Sequence, residues 1–289
     1  MEVVTTVKEV REKVQAARKN GRRIGFVPTM GFLHAGHISL VNEAAKQSDF
    51  QVMSIFVNRM QFNVSSDFDN YPSSPESDIA LAEKGGVDLL FMPNESEMYS
   101  ERRIYVDVEQ LADNLCGAYR PGHFRGALTV VAKLFNIVQP DVSVFGQKDI
   151  QQAVCIEKMV QDLNFPIDII IAPIIREQSG LAMSSRNKHL AEDERQRALV
   201  LNSSLKKAAS MLKAGERSWD IIQAEMEAVI LTGTPTMIDY ISLVKHDDLQ
   251  LLNFVSGRCV IALAVFFGST RLIDNILIDI NGDSVTCTM

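Results

Sequence analysis

Between Arg23 and Ala45 the chain passes from a short apolar run through Pro28, Gly31 and Gly36 into Ile38, Val41 and Ala45 at helical spacing. This is the pattern of a strand that turns sharply into a helix, and it constrains the fold more than any other stretch. Such a junction brings the N-terminus of a helix to the C-terminal end of a strand, where unpaired backbone N–H groups and the positive end of the helix dipole converge. The turn therefore suits an anion, above all phosphate. Gly31 and Gly36 let a ligand approach the backbone closely. His34 and His37 stand where the helix begins, can point the same way, and can donate to phosphate oxygens.

Two familiar phosphate loops fail here. Gly31 and Gly36 have the spacing of a P-loop, but His37-Ile38 stands where Lys and then Ser or Thr should follow. No G-x-G-x-x-G occurs, which removes the dinucleotide fingerprint. A zinc site lacks both the H-E-x-x-H spacing and a neighbouring cysteine. What remains, His-x-x-His at a strand-to-helix turn, resembles the signature of the class I aminoacyl-tRNA synthetase and nucleotidylyltransferase superfamily. In that group the paired histidines hold ATP phosphates while the α-phosphorus is attacked. A pair of polar loop histidines is the competing interpretation of this motif taken alone.

With 289 residues, 46% of them hydrophobic, the chain can bury the core of one large or two modest domains without covalent staples. Its net charge of −7 argues against a broad nucleic-acid surface, so no nucleic-acid partner is expected. Cys116, Cys155, Cys259 and Cys287 lie far apart with no C-x-x-C pair, which suits reduced thiols. The start of the chain lacks a leader's apolar core, and the longest apolar run, 259–267, is too short to span a bilayer. The expectation is a cytoplasmic, soluble protein with no membrane partner.

In chain order, Thr6 and Glu9 form a capping box for a helix whose buried face is Val7, Val10, Val14 and Ala17 and whose end is Gly21. Strands are expected at 51–57 and 87–92, with a helix opened by Ser74-Pro75 and closed by Gly85-Gly86 between them. This β-α-β-α-β order predicts a parallel sheet. A helix at 127–138, a strand at 142–145, a helix with Ala153, Ile156, Val160 and Leu163 buried, and a strand at 167–172 complete a doubly wound domain. After Asn187 come helices at 192–212 and 219–231, then strands at 239–244, 259–267 and 272–278, with a hairpin at Gly268-Ser269-Thr270. The fold class is therefore α/β, a Rossmann-like doubly wound parallel sheet followed by a smaller C-terminal α+β domain.

The unusual polar residues fall just beyond the ends of the proposed parallel strands: His34 and His37, Asn58 and Gln61, Gln147-Lys148-Asp149, and Arg176. That edge is where open α/β sheets bind ligands. Lys148 suits nucleotide phosphates there, and an ion pair with Asp149 makes equal local sense. Arg125 stands just before a helix, where an anion-binding role and a solvated loop position are equal alternatives. Met183-Ser184-Ser185-Arg186-Asn187 bridges the two domains, and its hydroxyls and guanidinium can wrap phosphate oxygens.

Taken together, FVPTMGFLHAGH at 26–37, SIFVN at 54–58 with Gln61-Phe62, LCGAYRPGHFRG at 115–126, VVAKLFNIVQPD at 130–141, FGQKDIQQ at 145–152, GLAMSSRN at 180–187 and TRLIDN at 270–275 resemble the pantothenate synthetase (pantoate–β-alanine ligase) family from end to end. The resemblance implies a Rossmann-like ATP- and pantoate-binding domain over 1–176, a lid domain over 177–289, and a homodimer. It implies that Mg2+ and ATP activate pantoate as pantoyl adenylate, which β-alanine converts to pantothenate and AMP. His37, His34 and Lys148 are the implied catalytic residues. ATP is implied to bind Met30, Gly31, His34, His37, Gly146, Gln147, Lys148, Asp149, Ile175, Met183, Ser184, Ser185 and Arg186, and pantoate to bind Gln61 and Gln152. Gln61 also reaches β-alanine, and the metal ligands are left open. Ala35, Arg59, Gln147 and Gln178-Ser179 depart from the common family pattern, and Ala191 replaces a usual helix-capping serine. Two other readings stay open, a superfamily enzyme acting on a different substrate and a non-catalytic nucleotide-binding protein.

Overall fold

Thr6 opens the first helix, Val7–Lys19, as the capping box requires. Its hydroxyl accepts the Glu9 N–H at 3.3 Å while the Glu9 carboxylate accepts the Thr6 N–H at 3.0 Å. Val10, Val14 and Ala17 are buried, and Gly21 follows with φ +74°. The structure is a computed structural model that describes residues 1–63, 68–99, 101, 103–282 and 284–289.

The expected parallel sheet is present. Strands β1 (Glu2–Val4), β2 (Ile24–Thr29), β3 (Phe50–Ile55), β4 (Leu89–Phe91), β5 (Val142–Gly146) and β6 (Asp168–Ala172) lie in the order β1-β4-β3-β2-β5-β6, every pair parallel. Successive strands run outward on one side of β2 and then resume on its other side with β5. That makes the gap between the C-terminal ends of β2 and β5 the switch point of the sheet. β2 is buried through Val27, because helices on both faces of a parallel sheet leave its central strand no solvent side.

Pro28 lies inside β2. The Thr29 carbonyl accepts from Phe56 N–H on the β3 side, so alternation turns the Pro28 nitrogen toward β5. Pairing with β5 has already stopped at Phe26–Ser143, and no ladder donor is missed.

Other boundaries move for identifiable reasons. In the helix Ala35–Ala44, Val41 and Ala44 are buried while Ala45 is exposed, an i,i+3 step where i,i+4 was expected. The helix His123–Val138 begins a turn before 127, so His123 to Gly126 belong to its first turn. Leu163 lies past the end of Ile150–Asp162 and is exposed. β1 escaped detection because a three-residue edge strand has no alternation to read; only its pairing with β4 defines it.

By their internal contacts the residues form two compact units, 1–108 with 120–146 and 155–172, and 109–119 with 147–154 and 173–289. The first holds the parallel sheet. The second holds an antiparallel sheet, β7 (Met237–Lys245), β8 (Arg258–Phe267), β9 (Thr270–Asn281) and β10 (Ser284–Thr288), in the order β10-β9-β8-β7. The expected hairpin joins β8 and β9 through a loop of two residues, Gly268, with φ +56°, and Ser269, since Thr270 already pairs with Phe267. The sheet packs on Val200–Lys213 and Trp219–Leu231 through a core that includes Leu205, Met226, Leu263 and Ile276. The single helix expected at 192–212 is two, Glu192–Arg197 and Val200–Lys213, and the break coincides with the turn at Gly233, whose backbone lies against Arg197 and Val200. Ala191 gives no side-chain cap, but Glu194 still accepts the Ala191 N–H at 2.9 Å, half of a capping box.

Candidate active site

The turn after β2 is shaped by a residue no motif announced. Asp78, buried on the helix Pro75–Lys84, accepts the Phe32 N–H at 2.9 Å and the Leu33 N–H at 2.7 Å through its two carboxylate oxygens. Gly31 has φ +85°, and a Cβ there would stand 2.9 Å from Ile55 and 3.0 Å from the Asp78 carboxylate, so only glycine fits. Phe32 follows with φ +51°, a strained backbone for a residue with a side chain, held by the Asp78 bond. Thr29 completes the frame: its hydroxyl donates to Ser54 O at 2.8 Å and accepts Gly31 N–H at 3.2 Å.

His34 is the N-cap of the helix Ala35–Ala44. Its Nδ1 accepts the Gly36 N–H at 3.1 Å, and Nδ1 of His37 accepts the His34 N–H at 3.2 Å. Backbone N–H groups only donate, so both Nδ1 atoms are unprotonated and each neutral ring carries its proton on Nε2. The rings lie 4.1 Å apart at 35°. The histidines thus satisfy helix-start donors through Nδ1 and carry their protons on Nε2. This geometry can supply the expected donors, and it assigns their tautomer.

After β3 the chain makes a 3-10 turn, Arg59–Gln61, in which Asn58 and Gln61 are buried. The Gln61 amide donates from Nε2 to the Met30 sulfur at 2.9 Å, joining this turn to the one after β2. The Gln61 carbonyl accepts from His123 Nδ1 at 2.7 Å, so His123 is the Nδ1–H tautomer, opposite to His34 and His37, and Arg120 Nη1 donates to its Nε2 at 3.3 Å. Gly126 allows this approach, since a Cβ would stand 2.4 Å from Met60 O and 2.6 Å from Gln61 N. Arg125, in contrast, sits over the Tyr105 ring at 4.0 Å with Asp107 at 3.7 Å, on the solvated side of the alternatives.

Gly146 ends β5, and Gln147–Asp149 form a 3-10 turn in the second unit. The Gln147 side chain is buried and spent on Asn275 Oδ1 at 3.2 Å and Thr288 O at 3.0 Å, and its carbonyl accepts from Asn275 at 2.9 Å. The side-chain NH2 of Gln147 is thereby committed within the second unit. Asn275 also donates to Lys148 O at 3.1 Å, fixing the backbone that carries the lysine. Lys148 has Asp149 at 3.7 Å and lines one small cavity with Ser184, Arg186, Arg271 and Asp274. Gln152 is half-buried on the following helix.

The segment expected to act as a hinge is tied within the second unit. Ile175 O accepts Met183 N–H at 2.9 Å, Ser184 Oγ accepts Arg186 N–H at 3.2 Å, and Asn187 donates to Glu177 at 2.7 Å and Ala182 O at 3.0 Å; Ser185 opens the 3-10 turn between. Arg176 is not available to a ligand as the strand-end pattern suggested. Its guanidinium is paired through both Nη atoms with buried Asp274, at 2.7 and 3.0 Å. Asp78, Asn275 and Asp274 are the residues sequence reasoning missed. A carboxylate on the apolar side of Pro75–Lys84, in register with buried Ala82, was the one available sign of the first.

A family model described as pantoate-β-alanine ligase matches residues 2–277. Pantothenate synthetase of Moorella thermoacetica is 51% identical over 97% of this chain and 100% of its own length, and that of Thermoanaerobacter sp. strain X514 is 50% identical over 96% and 98%. The crystal structure of pantothenate synthetase from Thermus thermophilus superposes with a TM-score of 0.90 at 39% identity, covering 95% of this chain and 98% of that one. Pantoate-β-alanine ligase from Francisella tularensis, complexed with β-γ ATP and β-alanine, aligns with a TM-score of 0.79 at 34% identity over 98% of this chain and 100% of that one.

Proposed function

We propose that this chain, which belongs to the pantoate–β-alanine ligase family, condenses pantoate with β-alanine using ATP and releases AMP and pyrophosphate. The observation that carries the site assignment is the histidine pair, whose Nε2–H groups stand at a helix N-terminus beside the sheet's switch point. A carboxylate cannot acylate an amine directly because oxide is too poor a leaving group. In the first step a pantoate carboxylate oxygen bonds to the α-phosphorus and the bond to the β-phosphate oxygen breaks, giving pantoyl adenylate and pyrophosphate. In the second the amine of β-alanine attacks the acyl carbon, AMP leaves, and the amine loses a proton.

In the first unit, Met30, Gly31, His34, His37 and Gly146 take the nucleotide, with His37 donating its Nε2 proton as charge develops on the phosphates. Gln61 orients pantoate and then β-alanine, and a neutral amide does so without blunting the attacking carboxylate as an arginine would. In the second unit, Lys148, Ser184, Ser185 and Arg186 steady the β- and γ-phosphates, and Gln147, Asp149, Ile175 and Met183 contact the nucleotide. Gln152 holds pantoate. Mg2+, when bound, supplies charge neutralisation on the phosphates, whose oxygens are the ligands such a hard cation prefers. Among the described residues no three His, Cys, Asp or Glu groups cluster as a metal cage.

A homodimer, a cytoplasmic location, and a division near residue 176 with 177–289 as a lid domain belong to the same proposal. No helix among the described residues is long and apolar enough to cross a membrane.

Isotope exchange between pyrophosphate and ATP, with Mg2+ and pantoate present and β-alanine omitted, tests this reading. Exchange that requires pantoate is expected. Its absence in folded protein that binds ATP would overturn the adenylation of pantoate.

A further inference from the structure

We propose that Tyr99 is a positioning residue for the acid substrate, acting through Asn58 to set which end of the Gln61 amide faces the ligand. The proposal rests on the assignment of Gln61 to pantoate made above.

The Gly126 carbonyl can only accept, so the Asn58 side-chain atom 3.0 Å from it is the NH2 group. Its oxygen therefore lies on the other side of the amide, where the Tyr99 hydroxyl donates to it at 3.1 Å. The second proton of the Asn58 NH2 goes to Gln61 Oε1 at 3.2 Å. That occupies the Gln61 oxygen and sets its NH2 on the Met30 side, where the sulfur, a weak acceptor, lies at 2.9 Å. The hydrogen bonds run in one direction from phenol to Asn58 to Gln61, and the end of the chain presents N–H.

The consequence is chemical selectivity. An NH2 on that side recognises the lone pairs of a carboxylate or hydroxyl oxygen, whereas the reversed amide would set its oxygen against the anionic acid. Asn58 is 1% exposed, so water cannot replace the phenol on its oxygen. Removing the phenol's hydroxyl therefore leaves a buried acceptor unsatisfied and weakens the term that favours this orientation over its flip. The Tyr99 ring packs 5.9 Å from Phe56, a contact that phenylalanine would keep.

Steady-state kinetics of full-length wild type, Tyr99→Phe, Gln61→Ala and the double variant test the proposal, with pantoate and ATP varied in turn. Tyr99→Phe is expected to raise KM for pantoate about tenfold, the scale of one displaced hydrogen bond, while KM for ATP stays within about twofold. In the Gln61→Ala background the same change is expected to leave the pantoate KM where Gln61→Ala put it. An unchanged pantoate KM in Tyr99→Phe, an equal effect in both backgrounds, or a parallel rise for ATP would overturn the proposal; the last would mark general loosening. Should Gln61→Ala itself leave the pantoate KM unaltered, the assignment of Gln61 fails and the relay fails with it, an outcome distinct from a relay that fails while Gln61 matters. Thermal midpoints of all four proteins confirm that folded enzyme is being compared.

Discussion

Replacing Asp78 by asparagine would test whether the turn after β2 is held by one buried carboxylate. The change preserves shape, but the carboxylate now accepts two backbone N–H groups at 2.9 and 2.7 Å, and an amide oxygen can accept only one of them well. The amide NH2 would oppose the other N–H, donor against donor, at a site 3% exposed to water. Charge-assisted bonds contribute roughly 1.5–3 kcal/mol each and a neutral one about 1 kcal/mol, so the loss comes to about 2–5 kcal/mol. In a domain of this size that lowers the thermal midpoint by roughly 5–15 °C. Phe32, at φ +51°, would be the first backbone to relax, and it lies two residues before His34. Calorimetry and pantoate-dependent pyrophosphate exchange would be measured together. A variant within about 0.5 kcal/mol of wild type by urea unfolding, with unchanged ATP KM, would refute the argument, because surface-like behaviour is incompatible with a carboxylate that organises the turn.

His37→Ala should fold and yet lose about a hundredfold or more in exchange rate, the usual scale for one transition-state donor; near-native turnover would remove His37 from the chemistry. Gly126→Ala forces a methyl against backbone atoms at 2.4–2.6 Å, so a destabilisation of about 1–3 kcal/mol and a higher pantoate KM are expected, and wild-type values for both would show that the 3-10 turn yields. Burial pushes the Cys155 thiol up to about 12 and the Cys259 thiol to about 11. Between the ordinary thiol value and those limits the folded protein keeps protons that the unfolded chain releases, so this contribution to stability is complete below about pH 9 and is lost as pH rises. Urea midpoints at about pH 8 and about pH 10 should therefore fall further in wild type than in Cys155→Ala/Cys259→Ala, and equal falls would rule the thiols out.

Much of the site was legible because local chemistry repeats its signals along the chain. Gly31 in the turn and His34 and His37 at the helix start are read from short-range pattern, and the structure adds the left-handed Gly31, the capping role of His34, the tautomers and the Asp78 support. Arg176 misled because a strand-end arginine looks the same in sequence whether it meets phosphate or, as here, the carboxylate of Asp274, 98 residues away. The partners of Gln147 are equally remote, its amide NH2 donating to Asn275 and Thr288. Asp78 gave one faint sign, a charge on an otherwise apolar face.

The sequence by itself determined the parallel sheet, the antiparallel unit that follows it, and the strand-to-helix turn, since hydrophobic period, capping residues and obligatory glycines act over a few residues. Only the tertiary structure decided which polar groups are spent on holding the fold and which are presented to a ligand. Hydrogen-bond capacity is finite, and its allocation depends on partners brought close by folding: Gly126 and Tyr99 for Asn58, Asn58 and Met30 for Gln61, Asn275 for the carbonyls of Gln147 and Lys148. Most of those pairings span tens to more than a hundred residues of chain, and no local pattern encodes them.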